Sequence, residues 1–180
     1  MAPWYEEAEF YHIYPIGLTG APRKNESEET VHRFSTLEQW LPHIADLGCT
    51  AIYIGPLFES TTHGYDTKDY KQVDRRLGDN ADFAAYVKKA HELGIKVVVD
   101  GVFNHTGSQS RYFNADGFYP GVGAAQSTDS PYFNWFSFHP WPTDYDAWWG
   151  IMTLPAVQEN EPDYRDFIIR GQDSVVRHLS

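Results

Sequence analysis

The chain has little cysteine, little positive charge and no long hydrophobic run, and each scarcity excludes something. Its 180 residues include a single cysteine, Cys49, so no disulfide can form within the chain. No apolar run approaches the roughly 20 residues that a membrane-spanning helix needs. The 14 Lys and Arg residues against 25 Asp and Glu give a formal net charge of −11. This charge argues against nucleic acid and anionic membrane surfaces as partners.

The remaining composition is that of a globular domain. Hydrophobic residues make up 42% and charged residues 22% of the chain, which is enough to form a core. The N-terminus shows no basic stretch followed by an apolar one, so no signal peptide is visible and we expect a cytoplasmic location. Aromatic residues reach 16%, many of them between Tyr112 and Trp149. They suit flat, hydroxylated ligands such as sugars, and they also suit a large loop that packs against itself.

The first part of the chain predicts a strand, a helix and a second strand. Residues Phe10 to Leu18 indicate the first strand, and Cys49 to Leu57 indicate the second. Between them, Ser35-Thr36-Leu37-Glu38 is a capping-box pattern at which a helix begins, with Pro42 predicting a kink or a later start. The apolar stripe of this helix comprises Leu37, Trp40, Leu41, Ile44 and Leu47.

The pattern then repeats and is interrupted. A helix capped by Asn80 or Asp79 and closed by Gly94 leads into a third strand, Ile95 to Phe103. The predicted apolar stripe of this helix comprises Phe83, Tyr86, Val87, Ala90 and Leu93. Residues Ser108 to about Asn160 are irregular, and a last helix begins at Pro162. Strands that alternate with helices predict a parallel sheet, either doubly wound or a (β/α)8 barrel. The barrel is favoured because no glycine-rich phosphate loop follows the first strand.

Polar residues follow two of the predicted strands. The third strand ends in Asp100, Asn104 and His105, and Tyr65 and Asp66 lie in the loop after the second strand. In a barrel both segments belong to the face where ligands bind. The alternatives are a core strand that merely stops in a polar turn, and a polar loop packed by tyrosines.

Taken together, Asp100-Gly101-Val102-Phe103-Asn104-His105 and Gly64-Tyr65-Asp66 resemble motifs of the α-amylase family of glycoside hydrolases. The resemblance implies the N-terminal half of a (β/α)8 TIM barrel with an inserted domain B after the third strand. The implied divisions are barrel units in residues 1–107, a domain B-like insertion in 108–160 and a barrel helix in 161–180, the remaining barrel lying outside the sequence. The segment Ser130 to Phe136 is similar to domain B of neopullulanases and cyclomaltodextrinases.

The resemblance also implies a role for four residues in binding an α-glucan or maltooligosaccharide. Tyr65 would stack on the sugar in subsite −1, and Asp66 would hold hydroxyls of a terminal glucose. Asp100 would brace the floor of the site through hydrogen bonds. His105 would bond the 6-hydroxyl of the −1 sugar.

The same resemblance limits what is expected of metals and of catalysis. Asn104 matches a position that ligates calcium in many members, but Ala156 stands where a further Asp would fall. We therefore expect Asn104 to be a hydrogen-bonding anchor and the chain to need no cofactor. A retaining glycosidase needs two carboxyl groups about 5–5.5 Å apart. In the family these come from strands four and five, so no catalytic residue is assigned and the 180 residues alone are predicted to be inactive.

A non-enzymatic hypothesis stays open beside this one. The chain would then be a half-barrel that binds sugar without cleaving it, or that assembles with another chain. Open sheet edges would favour such self-association.

Overall fold

A computed structural model describes residues 3–179 of the chain. The strands are β1 (Phe10–Ile13), β2 (Ala51–Ile54), β3 (Phe58–Ser60), β4 (Thr67–Val73) and β5 (Lys96–Val99). The α-helices are α1 (Pro15–Leu18), α2 (Phe34–Glu38), α3 (Leu41–Asp46), α4 (Asn80–Glu92), α5 (Pro162–Arg165) and α6 (Val175–His178). Short 3-10 turns cover Trp4–Glu6, Phe133–Trp135 and Trp148–Gly150, and a π-helical turn covers Asp166–Arg170.

The chain divides into two compact units. The sheet unit comprises residues 1–57 and 72–101, and the aromatic unit comprises residues 58–71 and 102–180. The predicted boundaries after residues 107 and 160 concern domains of a larger fold and stay predictions.

The sheet unit is built on three parallel strands in the order β1-β2-β5. Strand β2 is central, and Ile52 and Ile54 on it are fully buried. The β-branched residues of the three strands pack with α2, α3 and α4 in one apolar cluster that includes Leu37, Ile44 and Tyr86. This strand–helix alternation is the predicted one.

Helix α4 begins and ends as its sequence predicts. The Asp79 carboxylate accepts a hydrogen bond from the Asp82 N–H, and the Asp82 carboxylate accepts one from the Asp79 N–H, which completes a capping box. Gly94 follows the helix with φ of 75°, a left-handed conformation that glycine adopts without strain.

The strands are shorter than predicted. Strand β1 ends at Ile13, and the residues from Pro15 to Leu18, predicted as strand, form the helical turn α1. The fixed φ of proline and its missing N–H suit the first helical position, so Pro15 begins a turn. Strands β2 and β5 likewise span four residues each, and Asp100 lies just after β5.

The predicted first helix is wrong in its cap and in its last residue. Helix α2 begins at Phe34, and Arg33 precedes it with no side-chain cap, so the capping box predicted at Ser35 is absent. A break follows, and α3 begins with Pro42 in its first turn, which agrees with the predicted kink or late start. Leu47 and Leu93 were both expected in the core but are 57% and 47% exposed. Each is the C-cap residue of its helix, past the last turn that packs on the sheet.

The aromatic unit holds β3, residues 67–71 of its partner strand β4, and the long irregular segment. Its interior is a set of contacting rings, among them Tyr70, Tyr112, Trp135 and Phe167. The irregular segment was predicted, whereas the pairing of β3 with β4 was not. The predicted last helix is broken into α5, the π-helical turn and α6. Gly171, in extended backbone, follows the π-helical turn and ends it.

Within residues 3–179, no helix has the length and apolar character needed to cross a membrane.

Candidate functional site

The loop between β3 and β4 presents two of the predicted site residues. Asp66 is buried, 6% exposed, and its carboxylate accepts hydrogen bonds from the Thr62 hydroxyl at 2.7 Å and the Gly64 N–H at 3.3 Å. Tyr65 is 37% exposed, so its ring is partly open to solvent. Gly64 has φ of 99°, which allows the chain to turn just before these two residues. The loop therefore fixes a carboxylate and leaves an aromatic ring accessible.

His105 is joined to this loop by a hydrogen bond. Its Nε2 lies 3.0 Å from the backbone oxygen of Tyr65. Because a carbonyl oxygen only accepts, Nε2 carries the hydrogen and Nδ1 is the unprotonated nitrogen of the neutral ring. Burial lowers the pKa of His105 below its usual value of 6.5, so the ring is neutral at neutral pH. Nδ1 is buried and has no hydrogen-bond partner within residues 3–179.

Backbone pairing holds His105 in place from the other side. His105 lies opposite Ala156 in an antiparallel bridge. The Thr106 N–H donates to the Pro155 oxygen, and the Val157 N–H donates to the Asn104 oxygen, both at 3.0 Å. The irregular segment thus returns to the end of the third-strand motif and fixes it.

Two further contacts support the site and were not foreseen as functional. The Tyr70 hydroxyl, fully buried, donates to the backbone oxygen of His105 at 2.8 Å. An added Cβ at Gly107 would lie 2.6 Å from the backbone oxygen of Asp66, so only glycine fits there. The one sequence signal for the latter was the glycine two residues after His105.

Trp148 is a third residue near the site, and its sequence pattern predicts no specific role for it. Its ring centroid lies 5.2 Å from that of His105. The only signal for it was the general one, an aromatic-rich irregular segment that suits sugars or self-packing.

Asp100 belongs to the sheet unit. It is partly exposed, and its N–H donates to the Ile54 oxygen at 2.9 Å at the end of β2. An added Cβ at Gly55 would lie 2.1 Å from the Cβ of Asp100, so the strand ends approach closely at a glycine. The structure therefore brings together Tyr65, Asp66 and His105 in one unit and places Asp100 at the carboxyl end of the parallel strands in the other.

The residues around Asn104 do not fit a calcium ion. Calcium takes six to eight oxygen ligands. Asn104 is exposed, and the facing residues Ala156 and Val157 carry no side-chain oxygen. In the described part of the chain, the one group of three acidic or histidine side chains close enough to share an ion is His32, Asp79 and Asp82 in the sheet unit. The two carboxylates there already form the capping box of α4.

Comparison with known proteins gives one consistent answer. Residues 27–168 match the family model described as alpha amylase, catalytic domain. An amylopullulanase of Thermoanaerobacterium thermosulfurigenes is 37% identical over 155 residues, which cover 79% of this chain and 8% of that protein. A cyclomaltodextrinase of Bacillus sp is 29% identical over 197 residues, covering 97% of this chain and 34% of that protein.

Solved structures agree with these relatives. The cyclic alpha-maltosyl-(1→6)-maltose hydrolase of Arthrobacter globiformis, in complex with maltose, superposes with a TM-score of 0.74 at 30% identity, covering 90% of this chain and 40% of that one. A debranching enzyme of Nostoc punctiforme gives a TM-score of 0.72 at 30% identity, covering 92% of this chain and 38% of that one. The predicted fold class, α/β and the N-terminal half of a TIM barrel, is confirmed. The chain spans between 8% and 34% of the length of the curated relatives above.

Proposed function

Because this chain belongs to the α-amylase family, whose members are glycoside hydrolases, we propose that it supplies the −1 subsite of an enzyme acting on α-glucans. The enzyme would be a retaining glycosidase or a glucanotransferase that cleaves α-glucosidic bonds in α-glucans or maltooligosaccharides. The predicted resemblance to the family is confirmed, with cyclomaltodextrinases and a neopullulanase among the relatives. By their names, three of the relatives described above act on pullulan, on cyclomaltodextrin and on cyclic alpha-maltosyl-(1→6)-maltose.

The observation that carries this proposal is the grouping of Tyr65, Asp66 and His105. A glucose ring has apolar C–H faces and a rim of hydroxyl groups. The partly exposed ring of Tyr65 supports one face, and an amphipathic aromatic side chain suits such a contact. The Asp66 carboxylate and the His105 imidazole provide the polar groups that fix the orientation of a ligand.

The two polar groups are prepared for hydroxyl donors. An ionised carboxylate has about four lone-pair positions, and the hydrogen bonds from Thr62 and Gly64 leave others to accept from sugar hydroxyls. The unpaired Nδ1 of neutral His105 is a second acceptor. Leaving such a group buried and unpaired costs about 1–3 kcal/mol, so a donor that reaches it binds favourably. For Asp100, in the sheet unit, the resemblance supports a bracing role through hydrogen bonds, which we also propose.

No residue of this chain is proposed as nucleophile or acid/base. Both carboxylates would come from later strands of the barrel, so residues 1–180 alone would bind without cleaving. We also propose that residues 108–160 act as a domain B-like insertion, that no metal is needed and that the protein works in the cytoplasm.

The test compares two substitutions at one position in the natural gene product. We expect Tyr65→Ala to lower kcat/KM on maltooligosaccharides by about tenfold or more, because a ring contact that also serves the transition state is lost. Tyr65→Phe keeps the ring and should retain most of the activity. The melting temperature should change little in either variant, since the ring is partly exposed. A Tyr65→Ala enzyme with unchanged kcat/KM, or an inactive wild type, would contradict the proposal.

One observation favours a second candidate, a non-catalytic half-barrel. In the described sheet, β1 and β5 are each paired on one side only, so both present an edge that another chain or a second copy could join. This candidate predicts self-association in sedimentation and a sugar-dependent rise in melting temperature without turnover. Turnover of a maltooligosaccharide by the natural gene product would rule it out.

A further inference from the structure

Two adjacent tryptophans form a stacked pair in the aromatic unit. The ring centroids of Trp148 and Trp149 lie 4.8 Å apart, and their planes differ by 8°. Trp149 is 85% exposed, more than any other large hydrophobic residue in the described chain. One face of its indole rests on Trp148, and the other is open. An exposed ring of this size indicates a binding surface rather than a part of the core.

The backbone holds Trp149 in a conformation that bulky residues rarely adopt. Its φ is 53° and its ψ is 26°, in the left-handed region. The turn is closed by hydrogen bonds from the Gly150 N–H to the Ala147 oxygen and from the Trp148 N–H to the Leu154 oxygen. Conformations of this kind persist only where the surrounding structure imposes them, and they cluster at ligand sites.

The pair is continuous with the site already described. Trp148 contacts the ring of His105, so the three rings run from a buried histidine to an exposed indole. Backbone pairing fixes the arrangement, because Ala147 lies opposite Pro155 and His105 lies opposite the next residue, Ala156.

The chemistry of the turn favours a neutral, partly apolar ligand. The residues from Ala147 to Leu154 include no charged side chain. Ile151 and Met152 are 44% and 41% exposed and add apolar surface to the same turn. A pyranose ring matches this surface, since its C–H face packs on an indole and its hydroxyls remain in water.

We propose that the open face of Trp149 binds a further glucose unit of the α-glucan chain, beyond the unit held at Tyr65, Asp66 and His105. This inference rests on the proposed function, because it assumes that the neighbouring site holds a sugar. Trp148 is then the residue that supports the Trp149 ring and links the two positions.

The experiment measures how affinity depends on chain length in the natural gene product. Thio-linked maltose and maltohexaose resist hydrolysis, so their dissociation constants can be measured by calorimetry. Trp149→Asn removes the ring but keeps a residue that tolerates a left-handed backbone, so the turn can fold. We expect the preference for maltohexaose over maltose to fall by about three- to tenfold. Trp149→Phe should keep part of that preference.

Trp4→Asn is the matched control, since Trp4 is a partly exposed tryptophan of the sheet unit and should leave the preference unchanged. A Trp149→Asn protein with the wild-type preference would overturn the inference while leaving the proposed function intact. The inference would also be overturned, and the proposed function left intact, if Trp149→Asn abolished self-association in sedimentation without changing the preference. The open face of Trp149 would then bind a second copy of the chain and not a sugar. A wild type that binds neither analogue would contradict the proposed function itself and, with it, this inference.

Discussion

The two units of this chain are held together by different interactions. The core of the sheet unit is mainly aliphatic, with fully buried Leu37, Ile44 and Ile52 between strands and helices. The interior of the aromatic unit consists of ring contacts and buried polar side chains, such as Tyr70, Tyr112 and Asp69. In the aromatic unit, most of the backbone hydrogen bonds that join distant segments run between loops, whereas in the sheet unit they run between parallel strands.

The difference bears on which substitutions affect stability and which affect the proposed ligand binding. Burial of aliphatic side chains depends on area and volume and has little directional character. Ring contacts and buried hydrogen bonds depend on geometry, so they fix the positions of particular groups. The three clustered candidate residues, Tyr65, Asp66 and His105, lie in the aromatic unit. We therefore expect substitutions in the aliphatic core of the sheet unit to act on folding, and those around Tyr65, Asp66 and His105 to act on folding and binding together.

The largest expected effect is the loss of an aliphatic side chain from the sheet unit. Leu37→Ala removes a fully buried side chain from the cluster, and we expect it to cost about 2–5 kcal/mol of unfolding free energy. Leu47→Ala, at a position that is 57% exposed, should change it by no more than about 0.5 kcal/mol. Chemical denaturation measures both. Equal costs at the two positions would break the comparison, because exposure would then not separate them.

A smaller effect is expected from one hydrogen bond in the aromatic unit. Tyr70→Phe removes the hydroxyl that donates to the His105 oxygen at 2.8 Å. Burial raises the pKa of Tyr70 well above 10, so this donor stays protonated across the working pH range. We expect a cost of about 1–3 kcal/mol, together with a fall in sugar affinity because His105 is less firmly held. Tyr5→Phe, at an exposed tyrosine, is the control. If Tyr70→Phe folded normally and bound sugar with unchanged affinity, packing and not this hydrogen bond would be what positions His105.

The smallest expected effect is the dependence of stability on pH through two histidines. The pKa of His32 in the sheet unit is raised, whereas that of His105 in the aromatic unit is lowered. The hydrogen bond to Asp82 at 2.5 Å raises the pKa of His32 above 6.5, so its stabilising contribution is present below pH 6.5 and is lost as the pH rises through the raised value. Burial lowers the pKa of His105, so stability falls as the pH drops from 6.5 towards the lowered value.

NMR titration of the histidine ring protons measures both pKa values directly. Asp82→Asn should bring His32 back towards 6.5 and leave His105 unchanged. If His32 and His105 of the wild type had the same pKa, the hydrogen bond assigned to His32 and the burial assigned to His105 would both be contradicted.

The sheet unit was largely predictable because its signals are local. Apolar spacing and the Gly94 turn located α4 and the strand after it, and Asp79 was one of two predicted caps. The errors fell at the ends of elements. Pro15 begins a helical turn where the strand was predicted to continue, and Leu47 lies past the last turn of α3 that packs on the sheet. The aromatic unit was predictable as an irregular segment only, because its pairings, such as His105 with Ala156, join residues far apart in sequence. The site motif itself was recognisable, whereas the contact of Trp148 with His105 was not.

The close approach at Gly107 has a consequence for engineering this site. Since an added Cβ there would lie 2.6 Å from the Asp66 oxygen, the backbone at the end of the β3–β4 loop depends on a residue that lies outside the loop. A library that varies the other side chains of that loop, with Thr62, Gly64 and Asp66 kept, can test the proposed sugar binding without disturbing this turn. A library that also randomises position 107 would mostly return proteins in which the backbone at Asp66 is displaced, so a change in binding could no longer be assigned to the varied side chains.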